Sequence, residues 1–424
     1  MPFFISSMDS AFKKDIQYYK FCLYGFLKNL RLFEPFLILF LLEKEISFLQ
    51  IGTLYAIREI FINLLEIPSG VIADVLGRKN SLISSFIFYI ISFLLFFFSS
   101  SFYLFVTAIV FYAIGDAFRT GTHKTMIFNY LRINSWQNQR AHYYGNTRSW
   151  SQMGSAFSSL IAASIVFYSG NYASIFLYSI IPYVLDLILI ASYPKVLNGP
   201  TVEFNSKKIR HRFIQIAKDF VYSFKRKNII RAIANLSVHS GFHRAIKDYL
   251  QPIIQTFALS IPVMIFLSDK QRSAILIGIL YFIIYLLTSV ASRKAGSLTN
   301  KLRSNERALN ITMYVGFFMA FLSGIFFHYS FYIISIVLYI SIYLTENLRN
   351  PIGVAYVSEL FHDNVLTTAL STNSQAKSLL AALIAPLLGF LADQYGIGIG
   401  LSILALITIM LSPFFFAKKD FNKN

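Results

Sequence analysis

Long apolar runs recur along the whole 424-residue chain and constrain its fold more than any other feature. Each run covers roughly 18 to 25 residues, the length of helix that crosses a hydrocarbon core of about 30 Å. The runs therefore predict a polytopic all-α membrane protein with twelve transmembrane helices. The predicted spans cover about 21–42, 49–69, 81–100, 103–130, 142–168, 171–193, 229–258, 273–292, 308–327, 329–350, 365–391 and 396–416.

Composition excludes several other classes of protein. Only 14% of the residues are charged, whereas a soluble domain carries about 25%. Cys22 is the single cysteine, so we expect no intrachain disulfide and no Cys-based metal site. The sequence has no nucleophile–base set at chemical spacing and no phosphate-binding loop of the G-x-x-x-x-G-K-[ST] type. We therefore expect neither an enzyme nor an ATP-driven pump, and we expect no cofactor and no metal.

The distribution of basic residues predicts the orientation in the membrane. The chain has 38 Lys and Arg residues. If the N-terminus is cytoplasmic, most of those that lie outside the spans fall in cytoplasmic segments. The predicted outer loops then hold only Lys44, Lys270 and Arg272. The positive-inside rule thus predicts a multi-pass protein of the cell membrane with both termini in the cytoplasm. The same distribution accounts for the net charge of +18, so we expect no nucleic-acid partner.

One long polar stretch divides the chain into two sets of six spans. Residues 194–228 are rich in Lys and Arg, and their apolar residues fall on one helical face. This pattern is typical of a basic amphipathic helix at the cytoplasmic headgroup surface, and a regulatory arm is the alternative. We interpret 194–228 as a linker between an N-terminal bundle, 1–193, and a C-terminal bundle, 229–424.

The two sets of spans carry similar charged motifs in equivalent helices, at similar distances along the chain. The matched segments are Arg31–Pro35 with Asp248–Pro252, Asp116–Arg119 with Glu346–Arg349, and Arg148 with Lys377. Such an internal repeat predicts two pseudo-symmetric six-helix bundles, the architecture of alternating-access carriers.

A glycine-rich loop between the second and third spans reads G-V-I-A-D-V-L-G-R-K. Its motif positions are Gly70, Asp74, Gly77, Arg78 and Lys79. We expect glycine to allow close helix approach at Gly70 and a sharp turn at Gly77. The loop resembles the G-x-x-x-D-x-x-G-R-K motif of the major facilitator superfamily (MFS). The resemblance implies that this cluster latches the two halves together on the cytoplasmic side.

Other stretches depart from the motifs of that family. The copy at 296–303 has Asn300 in place of the acid, which predicts a weaker latch. The stretch 389–396 matches the motif in letters but falls on the predicted outer side, where we interpret it as a turn. The fifth span lacks the G-x-x-x-G-P signature of drug–proton antiporters and retains only Gly154.

Ionisable residues within the spans are the candidates for solute binding or coupling. Each costs roughly 2.5–3.5 kcal/mol at mid-bilayer unless it meets a partner or water. By the family resemblance, most of them lie on the helices that line a central cavity. They are Arg31, Glu34, Asp116, Arg119, Arg148, Lys247, Asp248, Glu346, Arg349 and Lys377.

Helical spacing predicts internal ion pairs among these residues, which would either serve transport or lock helix packing. The predicted pairs are Arg31–Glu34, Asp116–Arg119, Glu346–Arg349 and Arg244–Asp248. Arg148 and Lys377 have no opposite charge within a turn, so each needs a partner on another helix or an anionic ligand.

Together these features predict a monomeric secondary carrier for a small polar, zwitterionic or anionic solute, coupled to protons. Asp116, Asp248 and Glu346 are the first candidates for proton carriers, followed by Glu34. A drug or metabolite efflux carrier of the same superfamily is one alternative. A non-transporting sensor or assembly protein on the same fold is another. His239 and His243 lie four residues apart, but no third metal ligand is evident.

Overall fold

The structure is a computed structural model that describes residues 13–199, 214, 227–360 and 363–417. Among these residues the chain forms α-helices and short 3-10 turns, with no β-strand, which confirms the all-α prediction. The α-helices are Ile16–Lys28 (α1), Leu37–Glu43 (α2), Phe48–Leu76 (α3), Arg78–Phe98 (α4), Phe102–Arg119 (α5), Thr122–Ile133 (α6), Arg140–Ser169 (α7), Ser174–Ala191 (α8), Lys227–Ile246 (α9), Leu250–Ser260 (α10), Asp269–Arg293 (α11), Ala295–Leu302 (α12), Asn305–His328 (α13), Tyr332–Leu360 (α14) and Asp363–Leu411 (α15).

The helices match the predicted spans in position. Seven helical stretches of the described chain are long and apolar enough to cross a membrane. One of them, Phe102–Ile133, takes in both α5 and α6, and another, Ser371–Phe415, covers the last two predicted spans. The prediction of a polytopic helical membrane protein is therefore confirmed.

Three predicted spans are broken helices rather than continuous ones. The first span divides into α1 and α2, where Pro35 follows Glu34 at the start of a 3-10 turn. The fourth divides at Gly121, which adopts a left-handed φ of 76°. The seventh divides at the 3-10 turn Lys247–Tyr249. Non-helical backbone at membrane depth is tolerated where it lines a polar cavity, so the breaks point to such a cavity.

The stretch 389–396, interpreted above as an outer turn, is helical up to its last residue. Within α15 only Gly396 leaves helical geometry, with φ 80° and ψ 160°. The remainder of the stretch packs against the start of α3, where a Cβ on Gly389 would come within 2.2 Å of the Phe48 carbonyl oxygen. The turn is therefore confined to one residue, and the rest is an inter-helix contact.

The two sets of helices meet along two long contacts. α3 of the N-terminal set packs along α15 of the C-terminal set, and α7 packs along α11. Glycine allows the close approach: a Cβ on Gly52 would lie 2.3 Å from the Ala385 carbonyl oxygen, and one on Gly278 would lie 2.4 Å from the Ala163 Cβ. These contacts join the helices that the family resemblance places beside a central cavity.

The predicted linker lies mostly outside the described residues. Its first part forms a 3-10 turn, Lys195–Asn198, directly after α8. The basic amphipathic helix predicted within 194–228 falls on residues that the structure does not describe, apart from residue 214. The boundaries 1–193, 194–228 and 229–424 therefore stay predictions.

The glycine contact between α7 and α11 can be tested by adding one methyl group. Gly278→Ala is expected to destabilise the folded protein by about 1–3 kcal/mol, because overpacking forces neighbouring backbone apart. Thermal unfolding of the purified protein measures the change. Gly296→Ala is the matched control, since a Cβ there would meet nothing within 4 Å. Equal unfolding temperatures for the two variants would contradict the proposed close contact.

Candidate solute-binding cavity

A polar cavity of about 330 Å³ lies between the two sets of helices at the level of the helix breaks. Its wall combines residues from both sets, so neither set forms the cavity alone. Nine of the lining residues are charged, five basic and four acidic. They are Arg31, Glu34, Arg58, Glu59, Glu66, Asp116, Arg119, Arg244 and Lys247.

The helix breaks place several of these charged side chains in the cavity wall. Arg31 and Glu34 lie in the segment between α1 and α2, and Arg119 is the last residue of α5. Lys247 begins the 3-10 turn between α9 and α10. Peptide groups at the third break are bound by side chains, since the Tyr339 hydroxyl donates to the Ile246 carbonyl and the Tyr343 hydroxyl to the Lys247 carbonyl.

Ion pairs cross from one set of helices to the other within this cavity. The Lys247 Nζ lies 2.8 Å from a Glu34 carboxylate oxygen and 3.0 Å from Asp248 Oδ1. Arg244 binds Glu59 at 2.5 Å, and Glu59 is only 3% exposed. The predicted pair Arg244–Asp248 is therefore wrong, because Arg244 pairs with Glu59 and Asp248 pairs with Lys247.

The predicted Arg31–Glu34 pair is present but long, at 3.8 Å. Asp116 and Arg119 form the predicted pair at 2.9 Å, within a small network. The Tyr89 hydroxyl donates to Asp116 at 2.5 Å and accepts from Arg119 Nε at 2.9 Å. Tyr89 comes from α4, so this network also ties the end of α5 to its neighbour.

The predicted pair Glu346–Arg349 is wrong. Glu346 accepts from the Ser240 hydroxyl at 2.6 Å and lies 2.8 Å from Nδ1 of His239. Arg349 is 2% exposed and donates to the backbone and side-chain oxygens of Asn235 at 3.0 and 2.8 Å, and to Thr312 at 2.9 Å. Buried among these acceptors, Arg349 joins α9, α13 and α14 and does not face the cavity.

Besides Arg349, two predicted site residues have no ion pair among the described residues. Lys377, on α15, is partly buried and makes no hydrogen bond through its ammonium group. Arg148, on α7, is exposed and lines a second cavity of about 330 Å³. The two cavities share Arg119 as a wall residue, so they adjoin each other.

We call the helix ends near residues 44–47 and 261–268 the outer end, and those near 77–78 and 294–295 the inner end. The outer end is closed by contacts between the two sets of helices. Asp393 accepts from the backbone N–H groups of Phe48 at 2.9 Å and Leu49 at 2.8 Å. Lys270 pairs with Glu43.

Beneath this closure Gln251 holds the two broken helices together. Its side-chain oxygen accepts from the Ile38 N–H at 2.8 Å, and its side-chain nitrogen donates to the Glu34 carbonyl at 2.8 Å. The side chain is fully buried. The path from the cavity to the outer end is therefore filled by paired groups.

Towards the inner end the space continues. A third cavity of about 320 Å³ shares Glu66 and Thr120 with the central one. It lies between the glycine-rich loop and α15, and its wall includes Asp74 and Gln375. The described contacts thus close the outer end, and the cavities adjoin one another towards the inner end.

The glycine-rich loop contacts its own set of helices. Gly77 adopts φ 83°, which a side chain would strain, so the predicted sharp turn is present. The Lys79 ammonium donates to the carbonyl oxygens of Ala191 at 2.6 Å and Tyr193 at 2.9 Å. A Cβ on Gly70 would meet nothing within 4 Å, so the close helix approach expected there is absent in this structure.

Some cavity residues were outside the sequence-based selection. Glu59 and Tyr89 complete two of the networks, and Lys28 lines the second cavity. The available signal for Lys28 was its position on the same helical face as Arg31, one turn away. No sequence signal marked Tyr89, because tyrosines are frequent throughout the spans.

Comparison with known proteins identifies the family. The family model of the Major Facilitator Superfamily matches residues 21–345. This chain belongs to the Major Facilitator Superfamily of transporters, and the family resemblance of the glycine-rich loop is thereby confirmed. Its members are membrane transporters rather than enzymes.

Relatives agree with this assignment. The chain is 27% identical over 399 residues to an uncharacterised MFS-type transporter of Bacillus subtilis (strain 168), YxaM, covering 90% of both chains. Among solved structures, a mutant form of the nucleoside transporter NupG matches with a TM-score of 0.76 at 13% identity, over 94% of this chain and 99% of that one. A D-xylose–proton symporter matches with a TM-score of 0.68 at 15% identity, over 95% and 96%. These structural likenesses show that the chain shares their fold.

The structural role of Arg349 gives a second prediction. Asn235→Ala removes one acceptor of this buried guanidinium, so we expect a loss of about 1.5–3 kcal/mol in stability. Thermal unfolding measures the loss. Asn347→Ala serves as control, because the Asn347 amide donates only to the Tyr343 carbonyl of its own helix. If both variants unfold at the same temperature, Arg349 does not depend on Asn235.

Proposed function

We propose that this chain is a secondary carrier that moves a small polar solute by alternating access. The observation that carries the proposal is a charged mid-membrane cavity whose wall comes from both sets of helices, closed at the outer end and continuous towards the inner end. A site shared by two rocking bundles is what alternating access requires.

The proposed orientation follows from the positive-inside rule. Both termini lie in the cytoplasm, the inner end faces the cytoplasm, and the described conformation is the inward-open one. The proposed bundles are 1–193 and 229–424, joined by the cytoplasmic linker 194–228. The proposed role of the glycine-rich loop is to latch the two bundles together at the inner end in the outward-open conformation.

The proposed moving parts are the ion pairs that cross between the bundles. Lys247–Glu34 and Arg244–Glu59 lie in the wall of the open cavity, so they form or break as the bundles rock. Each pair leaves both charges in a partly buried site, and a broken pair therefore needs a replacement partner. A solute that carries its own charges supplies such a partner, which supports a zwitterionic or anionic solute.

Proton coupling is the proposed source of energy, and Glu346 is the favoured proton carrier. Protonation of Asp116 would leave Arg119 unpaired, and protonation of Glu34 or Asp248 would deprive Lys247 of a partner. Glu346 instead contacts His239 and Ser240, and no Lys or Arg nitrogen of the described chain lies within 4.0 Å of it. Its protonation would therefore break no ion pair with a Lys or Arg of the described chain.

Alternating access predicts that weakening the outer closure admits reagents from the other side. In a Cys22→Ser background, Ser374→Cys places a thiol in the cavity wall. Adding Asp393→Asn removes the charge that binds the Phe48 and Leu49 amides, so we expect labelling from the outer side by an impermeant maleimide to rise about tenfold. Labelling rates in sealed vesicles of known orientation provide the measurement.

Asp269→Asn is the matched control for that experiment, since Asp269 is also an outer-end acid but its side chain is 76% exposed. It should leave the labelling rate unchanged. A thiol at position 374 that reacts from one side only, with and without Asp393→Asn, would contradict alternating access.

Transport itself is tested with the purified chain in proteoliposomes, incubated with a metabolite mixture and assayed by mass spectrometry. We expect at least one solute to accumulate or exchange. Arg244→Gln should reduce its transport at least tenfold, because Glu59 then lies buried without its partner from the other bundle. Lys301→Gln, an exposed cation of the inner end, should have no effect. Unchanged transport on neutralising each cavity charge would refute the site.

A further inference from the structure

The second cavity differs from the central one in its charge. It lies among α1, α5, α6 and α7, entirely within the N-terminal set of helices. Four basic residues line it, together with His123, and no carboxylate does. In the central cavity five basic residues face four acids. The basic residues of the second cavity are Lys28, Arg119, Lys124 and Arg148.

Three of the four cations of this cavity, Lys28, Lys124 and Arg148, have no ion pair among the described residues. Arg119 is paired with Asp116, but neither Lys28 nor Arg148 has an ion pair or a hydrogen-bond acceptor among the described residues. Lys124 contacts only the rings of Phe128 and Tyr144, at 5.6 and 5.1 Å. The carboxyl end of α1 offsets part of the Lys28 charge, since a helix terminus carries about half an elementary charge.

One acid lies near the cavity, outside its wall. Asp186, on α8, is fully buried, and neither of its carboxylate oxygens has a hydrogen-bond partner. It forms no ion pair within 4.0 Å with Lys28 or Arg148. Lys28 and Arg148 therefore face the cavity without a direct ion pair from the described residues.

Two of the four cations have no counterpart in the other half of the protein. The offset that aligns Arg31 with Asp248 places Ala245 opposite Lys28, and the offset that aligns Asp116 with Glu346 places Val354 opposite Lys124. Arg119 and Arg148 have basic counterparts, so the internal repeat accounts for only part of the cluster. Unpaired cations at membrane depth are costly and mark binding sites or water-filled paths.

We propose that this cavity binds the anionic group of the transported solute, a small organic anion that carries a phosphate or carboxylate. This inference rests on the proposed carrier function and specifies its substrate class. Lys28 and Arg148 hold the anion. The remainder of the solute extends past Arg119, which both cavities share, into the central cavity. The stacked rings of Tyr24 and His123, 3.6 Å apart, form an apolar side of the same wall.

Binding is tested on the purified full-length protein with phosphate, succinate and citrate at constant ionic strength, and with glucose as neutral probe. Ligands that bind the folded state raise the unfolding temperature. We expect at least one anion, and not glucose, to do so. Lys28→Gln and Arg148→Gln should each weaken its apparent affinity about tenfold or more. Lys301→Gln and Arg132→Gln, exposed inner-end cations outside the cavity, are the matched controls.

Three results would overturn the inference: no anion of the panel binds, the cavity variants bind as the wild type does, or the controls lose binding equally. A phospholipid phosphate is the other source of the same chemistry. If vesicles of phosphatidylglycerol stabilise the protein, compared with phosphatidylcholine, and added anions do not, the cavity is a lipid site and the inference fails.

The same variants separate this inference from the carrier function. Uptake of a neutral or cationic solute that survives Lys28→Gln would refute the anion site and leave the carrier intact. Anion binding that Lys28→Gln abolishes, in a protein that transports nothing in proteoliposomes, would support the site and refute the carrier.

Discussion

Every charged group within the bilayer core of this protein needs a partner or water, and that requirement organises the whole structure. The three broken helices satisfy it for backbone and side chains together. Arg31 and Glu34 lie at the first break, Arg119 beside the second, and Lys247 at the third. Charged side chains thus collect at the breaks, and side chains of other helices bind the freed peptide groups, as Gln251 does at the first break and Tyr343 at the third.

The sequence predicted the class of fold because the length of an apolar run remains visible when hydropathy is averaged over the run. Averaging hydropathy over about twenty residues hid the helix breaks. A few polar residues hardly change such an average, and the left-handed backbone of Gly121 does not affect it at all. Spacing along a helix predicted the Asp116–Arg119 pair correctly. It failed for Glu346 and Arg349, because His239 and Asn235, the groups that bind them, come from another helix and are invisible to spacing.

The candidate site was only partly accessible from sequence. Comparing the two halves identified charges that repeat, such as Arg148 and Lys377, and so favoured the features that the halves share. Lys28 has no counterpart, and this comparison therefore passed over it. The cationic cavity emerges only when α1, α5, α6 and α7 are placed together in space, which is information that neither composition nor periodicity contains.

The contact of Asp393 with the start of α3 has a consequence for how this protein can vary. Asp393 binds backbone N–H groups, so the closure depends on one side chain and not on a matched pair. Residues 48 and 49 can change freely without loss of these hydrogen bonds, provided neither becomes proline. At the outer closure, selection for these hydrogen bonds should consequently act on Asp393 and not on the side chains at 48 and 49. Covariation between position 393 and positions 48 and 49 should therefore be weak, although the residues are in contact.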